Sequence, residues 1–217
     1  MPRDKAETLE RILPAARRVF LEKGFEKATM REIADEAGLT AAGLYRHFVD
    51  KEAMFSALVE PALKEMRRYC AQTRKADYAF LEAGNLDAMW DAENELRLMV
   101  DHVYAYFDAY KLLLCKSAGT KYAWFLHDVA TLEQQETLAY MEAARKRGVP
   151  VREVEPKELH LLMTAYTNAM FEVVVHDFTK QEARHYLDTL HRFFVPGWRA
   201  LLGLWTAPFF CLEVSYF

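Results

Sequence analysis

Residues 29 to 48 decide the fold of this chain: Thr-Met-Arg-Glu-Ile-Ala-Asp-Glu-Ala-Gly-Leu-Thr-Ala-Ala-Gly-Leu-Tyr-Arg-His-Phe. The run from Thr29 to Glu32 is a capping-box pattern, so a short helix is expected to begin there. Gly38 is expected to end that helix, because glycine readily adopts the left-handed conformation that often follows a helix. Thr40 is then placed to cap a second short helix with its side-chain oxygen. The stretch therefore predicts two short helices joined at a glycine.

The apolar residues of this stretch share one side of each predicted helix. Ile33, Ala34 and Ala37 would face the core from the first helix, and Leu44 and Phe48 from the second. Two short amphipathic helices in this order are typical of the helix-turn-helix, whose second helix enters the major groove of DNA. The sequence therefore predicts a DNA-binding motif in this stretch.

A longer amphipathic helix is predicted on each side of the motif. The first spans Glu7 to Lys23, with a kink or a late start at Pro14 and a left-handed cap at Gly24. Asp50 is placed to cap the helix that follows the motif. The periodic apolar positions are Leu9, Ile12, Leu13, Ala16 and Phe20 before the motif, and Phe55, Leu58, Ala62 and Met66 after it.

Helical periodicity continues through the rest of the chain. No stretch alternates strongly enough to predict a strand, although the tail 205–217 ends in a β-prone segment that stays unassigned. The predicted fold class is all-α, with about nine helices: a three-helix helix-turn-helix domain followed by a larger helical domain. The later helices are expected at about Leu86–Cys115, Ala123–Arg147, Pro156–His176 and Thr179–Leu204.

Composition narrows the class of protein. The chain is 52% apolar, enough for a real core, and 28 Lys and Arg against 32 Asp and Glu give a net charge of −4. DNA binding would therefore need a local basic patch. The cysteines (Cys70, Cys115 and Cys211) are odd in number and far apart, which indicates neither a disulfide framework nor a zinc site. A charged N-terminus and the absence of a membrane-length apolar run predict a cytoplasmic protein.

Residues 6–66 resemble the TetR family of transcriptional regulators, with the motif proper at residues 29–48. The resemblance rests on Phe20, Gly24-Phe25, Ala28-Thr29, Ile33-Ala34, Ala37-Gly38-Leu39-Thr40, Leu44-Tyr45-Arg46-His47-Phe48 and Lys51-Glu52, which all fall in register. It implies a DNA-binding domain over 6–66 and a ligand-binding and dimerisation domain over 67–217. It also implies that Thr40, Tyr45, His47 and Lys51 contact phosphates, with Arg31 beside them.

The chain departs from the family pattern where bases are read. The family usually carries a long or polar residue, a glycine and a threonine before Leu-Tyr, but here the run is Ala41-Ala42-Gly43. Alanine methyl groups touch thymine methyl groups and make no bidentate hydrogen bonds. Arg46 is then the one long donor on this helix that would reach a base edge. Specificity is expected to depend on Arg46, on apolar contacts and on DNA shape.

The resemblance also implies a small-molecule effector and a homodimer. The last two long helices would pair with those of a second copy, and the middle helices would enclose a pocket for a mostly apolar molecule. Repression of a palindromic operator, relieved by the effector, is the function that the family implies. The candidate pocket residues are Trp90, Met99, His102, Tyr106, Tyr110, Trp124, His127, Tyr166, Asn168, Phe171 and Glu172.

An enzyme and a small-molecule-binding protein are the two other classes of protein to compare with a regulator. Glu182 and His185 have the spacing used by di-iron helical bundles, but a di-iron site needs a second such pair and further carboxylates, so neither an enzyme nor a cofactor is expected. The alternative is a helical lipid-binding or small-molecule-binding protein of the same architecture that does not bind DNA. The Ala-Ala-Gly face and the acidic net charge favour that alternative, whereas Tyr45, Arg46, His47 and Lys51 together favour a DNA-binding regulator.

Overall fold

The computed structural model describes residues 5–90 and 93–204, all of which form helices, turns or loops without a strand. Within these residues the all-α fold class and the expected number of about nine helices are confirmed. Cys211 and the apolar tail lie outside the described residues. The elements are α1 (Lys5–Lys27), α2 (Met30–Glu36), α3 (Ala41–Tyr45), α4 (Lys51–Ala83), a 3-10 turn (Leu86–Trp90), α5 (Glu93–Ala105), α6 (Phe107–Cys115), α7 (Phe125–Lys146), α8 (Pro156–Val175) and α9 (Lys180–Leu202).

The caps predicted for the two short helices are present. The Glu32 amide donates to Thr29 Oγ1 at 3.2 Å while the Thr29 amide donates to a Glu32 carboxylate oxygen at 3.0 Å. This reciprocal pair is the capping box that begins α2. The Gly43 amide donates to Thr40 Oγ1 at 3.0 Å, which begins α3. Side chains that were identifiable in the sequence thus set the start of both helices.

Helix α1 differs from its predicted form at Pro14 and at Gly24. It continues through Pro14 without a late start, and it extends beyond Gly24 to Lys27. Gly24 has φ 77° and ψ 165°, so its φ is positive as expected but its ψ is not that of a left-handed helix. The chain bends at Gly24 and makes one further helical turn, in which the Ala28 amide donates to the Gly24 carbonyl at 3.1 Å.

The first three helices and the start of α4 surround one apolar core. Phe20 packs against Phe25 and Phe55 with ring centroids 5.9 and 5.3 Å apart. Ile33 from α2 and Leu44 from α3 are completely buried against the same cluster. The predicted inward face of each short helix is therefore confirmed, and the outward face of α3 is held at the surface by this packing.

Helix α4 connects the two halves of the chain. It runs for 33 residues without a break, passing through Pro61 and ending at Gly84, whose φ of 68° is left-handed. At a rise of about 1.5 Å per residue it is roughly 50 Å long. The predicted domain boundary after residue 66 falls inside this helix. The continuous backbone of α4 therefore joins the C-terminal half of this helix directly to the helix-turn-helix.

The helix predicted from about Leu86 to Cys115 is divided in the structure. A 3-10 turn occupies its beginning, and α5 ends at Ala105 before α6 begins at Phe107. Tyr106 between them has φ −123° and ψ 31°, outside the helical region. The stretch from 93 to 115 contains neither proline nor glycine, so the sequence has no local signal for this break.

Candidate DNA-binding surface and ligand cavity

The outward side of α3 is a small, exposed surface. Tyr45 is 54% exposed although it directly follows Leu44, which is fully buried. Ala41, Ala42 and Arg46 are also exposed. An aromatic ring of this size is usually buried, so its exposure beside a basic side chain indicates a contact surface. The predicted contacts at these positions are geometrically available to DNA.

Helix α3 is shorter than the expected helix that reached Phe48. It ends at Tyr45, and the His47 amide donates to the Leu44 carbonyl at 2.9 Å in a tighter turn. Arg46 therefore lies on the turn that follows the helix. His47 is half-buried, and its Nδ1 is buried without a hydrogen-bond partner among the described residues. A phosphate contact from His47 would therefore use Nε2.

Two further predicted contacts, Arg31 and Thr40, are exposed near this surface. Arg31 forms no ion pair or hydrogen bond among residues 5–90 and 93–204, so its guanidinium is available to phosphate. Thr40 Oγ1 already accepts the Gly43 amide, but a hydroxyl also carries a proton that it can donate. Thr40 can therefore cap α3 and donate to a phosphate at the same time.

The ammonium group of Lys51 forms hydrogen bonds within the protein. Its Nζ donates to the carbonyls of Phe25, Glu26 and Ala28 at 2.5, 3.2 and 2.9 Å. It also lies 4.3 Å from the centroid of the Phe25 ring. The ammonium thus satisfies carbonyls at the end of α1, where the helix dipole favours a cation. A phosphate contact at this position stays a prediction, and it would come from the backbone N–H groups at the start of α4.

Lys51→Met distinguishes these two roles. Because the ammonium holds three carbonyls, we expect the free energy of unfolding to fall by about 1–3 kcal/mol. Affinity for DNA should weaken while the slope of log affinity against log salt stays the same. Loss of a phosphate contact would instead reduce that slope by about 1 for each lysine removed. The exposed Lys64 lies on the same helix, and Lys64→Met is the matched control for stability.

Arg11 stabilises the turn between α2 and α3, and sequence reasoning missed it. Its Nη2 donates to the carbonyls of Ala37 and Gly38 at 2.7 and 3.2 Å. Gly38 has φ 64°, and a Cβ at this position would lie 2.9 Å from the same guanidinium nitrogen. Glycine is therefore required both by the backbone conformation and by the approach of Arg11. An arginine on an amphipathic helix gives no sequence signal for such a contact, and Arg11 is half-buried in the structure.

Glu32 links the capping box to α1. Its hydrogen bond from Lys23 at 2.7 Å and those from Thr29 lower the pKa of the Glu32 carboxyl to about 2. A lowered pKa in the folded state means that this carboxylate stabilises the fold above its ordinary pKa. That contribution is lost as the pH falls towards about 2. The cap on α2 is therefore fully formed at neutral pH.

The described residues surround a cavity with a volume of about 390 Å³. It lies between α4, α7, α8 and α9 beside the 3-10 turn, in the size range of small-molecule sites. Its walls are mostly aromatic and aliphatic, with a polar stripe on α4 and α7. The lining residues are Tyr69, Cys70, Thr73, Arg74, Asp77, Tyr78, Trp90, Met99, Val129, Leu132, Glu133, Glu136, Thr137, Tyr140, Met163, Tyr166, Thr167, Met170, His191, Val195, Trp198, Leu202 and Leu204.

Three of the candidate pocket residues, Trp90, Met99 and Tyr166, line this cavity. The others do not, and several of them are core instead. His102 Nε2 lies 2.7 Å from the hydroxyl of Tyr110, which is 1% exposed. The Tyr110 ring in turn lies 5.7 Å from Phe171. These aromatic groups pack against one another, so their polar tips are satisfied inside the protein.

The remaining candidate pocket residues either contact other side chains or backbone groups of the protein or are exposed to solvent. The ring of Tyr106 packs against that of His102, with the ring centroids 5.3 Å apart. The side-chain amide of Asn168 donates to the Thr164 carbonyl at 2.8 Å. Glu172 forms an ion pair with His176 at 2.9 Å. The last two candidates, Trp124 and His127, are exposed and line a shallow depression of about 150 Å³.

The polar stripe of the cavity was also missed. Cys70, Arg74 and Asp77 on α4 follow helical spacing, as do Glu133 and Glu136 on α7. This i, i+3, i+4 pattern of polar residues was present in the sequence and could have indicated a polar wall. Burial raises the pKa of the Cys70 thiol, so this cysteine is protonated and unreactive at neutral pH.

In the part of the chain that the structure describes, no group of His, Cys, Asp or Glu side chains has the arrangement of a metal site. None of the helices within residues 5–90 and 93–204 combines the length and apolar character needed to cross a membrane.

The helix-turn-helix also matches a known family. Residues 12–58 match the TetR_N model, described as bacterial regulatory proteins of the tetR family. The repressor BepR of Brucella suis is 39% identical over 75 residues, which cover 35% of this chain and 36% of that protein. The repressor Rv1474c of Mycobacterium tuberculosis is 40% identical over 55 residues, 25% of this chain and 29% of that protein. The chain thus matches about a third of the length of these curated relatives.

Solved structures share the fold over most of the chain. SCO3833, a TetR-family regulator from Streptomyces coelicolor, has a TM-score of 0.55 and 21% identity, with 86% of this chain and 90% of that chain covered. NalD, a repressor of a multidrug efflux pump in Pseudomonas aeruginosa, has a TM-score of 0.52 and 20% identity. That alignment covers 87% of this chain and 96% of NalD. At this identity the likeness shows the fold alone.

The capped α2 and α3, with an exposed aromatic and basic surface, define a helix-turn-helix protein. Residues 12–58 carry the DNA-binding segment of the tetR family of bacterial regulatory proteins, and the chain as a whole shares the fold of solved TetR-family regulators. Its relatives are named as regulators of transcription, which agrees with the expectation that the chain is not an enzyme.

Proposed function

We propose that the protein is a transcriptional repressor that binds a palindromic operator as a dimer and is released by a small effector. The observation that carries this proposal is the exposure of Tyr45 and Arg46 directly beside the buried Leu44. The hydroxyl of Tyr45 would contact a phosphate, and the guanidinium of Arg46 would reach a base edge. Since operator DNA lies in the cytoplasm, the proposal also places the protein there.

The proposed dimer uses the outer faces of α8 and α9. Leu161 on α8 and Phe193 on α9 are 69% and 77% exposed, and Leu162, which follows Leu161, is 41% exposed. Ala165, one turn after Leu161, is exposed as well and is small enough for close helix approach. Large apolar side chains on two adjacent helices favour a self-complementary contact. A dimer would place two recognition helices in successive major grooves, about 34–36 Å apart.

The structure offers a route from the cavity to α3. Helix α4 lines the cavity with its C-terminal half and packs in the helix-turn-helix core with its N-terminal half. The segment between α6 and α7 contacts the same domain, because Tyr122 donates to Glu60 at 2.8 Å and the Phe25 amide donates to the Lys116 carbonyl at 2.9 Å. An effector that displaces α4 would therefore change the separation of the two recognition helices.

The proposed release of DNA requires thermodynamic coupling between effector binding and DNA binding. An effector shifts the dimer only if it binds the released form better than the DNA-bound form. By reciprocity, DNA must weaken effector binding by the same factor. Repression is the mode of regulation that the named relatives BepR and Rv1474c favour.

The test is selection of DNA by the purified protein from genomic fragments of its own source, followed by sequencing. The proposed function predicts enrichment of a few fragments that share an inverted repeat. A protein that binds only small molecules would enrich none at low salt, and that outcome would support the alternative class. The net charge of −4 makes background binding to arbitrary DNA low, so enrichment would be specific.

A further inference from the structure

We propose that the effector is an amphipathic cation, whose positive group binds between Glu133 and Glu136 on α7. This inference rests on the proposed function, because it names the chemical class of the molecule that would occupy the cavity. It goes beyond the expected mostly apolar effector by assigning the effector a charge and a position for that charge.

The charges on the cavity wall are unbalanced. Two carboxyl groups of α7 line it, from Glu133 and Glu136, and the guanidinium of Arg74 lines the wall beside them. Arg74 forms an ion pair with Glu136, whereas Glu133 forms no ion pair or hydrogen bond among the described residues. The half-buried Glu133 therefore has a carboxyl group that a ligand cation could pair with.

The other titratable groups do not supply a positive charge here. Burial lowers the pKa of His191, so this ring is neutral at neutral pH. Burial raises the pKa of the Glu133 carboxyl, and the neighbouring Glu136 raises it further. A bound cation favours the ionised form of a carboxyl group. Binding would therefore offset the free-energy cost of ionising the Glu133 carboxyl in its buried position. An anionic ligand would instead meet two carboxyl groups at the same place.

The rest of the cavity suits the apolar part of such a molecule. Tyr78, Trp90, Tyr140 and Trp198 line it, and aromatic faces attract cations as well as apolar groups. Trp90 Nε1 is buried without a hydrogen-bond partner among the described residues, so an acceptor atom on the effector would satisfy it. The inferred ligand has an aromatic or aliphatic body and one amine.

The position of the proposed charge site links binding to α4. Arg74 belongs to α4, and Glu136 belongs to α7, so their ion pair joins the two helices across the cavity wall. A ligand cation at Glu136 would compete with Arg74 for the same carboxylate. Release of Arg74 would loosen α4 from α7, which is the displacement that the proposed mechanism needs.

The test compares three ligands of one shape. Naphthylmethylamine is a cation at neutral pH, naphthylmethanol is neutral and naphthoate is an anion. Isothermal titration calorimetry with the full-length protein should give the affinity order amine, alcohol, anion. We expect the amine to bind about tenfold or more tightly than the alcohol.

Glu133→Gln is the decisive variant because it removes the charge and keeps the volume. It should remove most of the preference for the amine and leave the affinity for the alcohol unchanged, which also shows that the cavity is intact. Glu142→Gln on the same helix is the matched control, since Glu142 is exposed and pairs with Arg145 and Lys146. It should behave like the wild type.

Equal affinities for the three ligands, binding of none of them, or an unchanged preference in Glu133→Gln would overturn the inference. Selection of genomic fragments, measured separately, decides the proposed function. A protein that selects DNA but shows no cation preference retains the proposed function without this effector class. A protein that selects no DNA but loses its cation preference in Glu133→Gln retains the charge site without the regulatory role.

Discussion

Replacement of both Tyr45 and Arg46 with alanine is expected to weaken binding to a selected DNA fragment by about 100-fold or more. Each subunit of the proposed dimer would lose one phosphate contact and one base contact. Alanine cannot replace either group, and the neighbouring Ala41 and Ala42 offer no polar side chain in compensation. Fluorescence anisotropy with a labelled fragment at fixed salt measures the change.

Stability should be unaffected by this double substitution, because Tyr45 is 54% exposed and Arg46 is exposed. Surface changes of this kind usually alter the free energy of unfolding by less than about 0.5 kcal/mol. Arg145→Ala, on the exposed C-terminal turn of α7, is the control for loss of one positive charge. If the double variant bound the fragment as the wild type does, α3 could not be the recognition helix.

Replacement of Leu161 and Phe193 with arginine is expected to convert the dimer to a monomer and to abolish operator binding. The two side chains are the most exposed apolar groups on α8 and α9 in the described part of the chain. In the proposed interface they would be buried, and unpaired charges at these positions would be strongly destabilising. Sedimentation equilibrium would show the change of mass, and the anisotropy assay would show the loss of affinity.

Trp124→Arg is the control for this prediction. Trp124 is 73% exposed and apolar, but it lies on the segment between α6 and α7. Its substitution should leave both the mass and the DNA affinity unchanged. A double variant of Leu161 and Phe193 that remained dimeric would show that another surface holds the subunits together.

The helix-turn-helix was largely predictable because its signals are local. Thr29, Thr40 and Asp50 cap helices that begin at the next residue, and each cap forms the expected hydrogen bond. The buried positions of Ile33 and Leu44 follow from helical periodicity alone. Local helix signals and tertiary packing favour the same structure in this region, so sequence patterns were enough to predict it.

The contacts between distant residues were not predictable in this way. Lys51 and Arg11 each donate to carbonyls more than twenty residues away, and either side chain would look equally suitable for solvent or phosphate in the sequence. The break at Tyr106 has no proline or glycine to indicate it. These features depend on how helices pack, which a residue pattern does not specify.

The lining of the cavity could not be predicted from the sequence for the same reason. Aromatic residues at helical spacing are found both in cores and in pockets, so Tyr110 and Phe171 could not be separated from Trp90 and Tyr166 by sequence. The acidic Glu133 was not among the predicted pocket residues, most of which are aromatic. Its place in the cavity depends on how α4 and α7 face each other, which the sequence does not specify.

The salt dependence of binding to a selected fragment tests the central claim most directly. A dimer that neutralises several phosphates should lose affinity steeply between about 50 mM and 200 mM salt, with a slope near −0.9 for each phosphate contacted. The wild type should show this slope on the selected fragment, and the Tyr45 and Arg46 double variant should show a weaker affinity at every salt concentration. Binding that is independent of salt, or absent at low salt, would contradict the claim that α3 binds DNA.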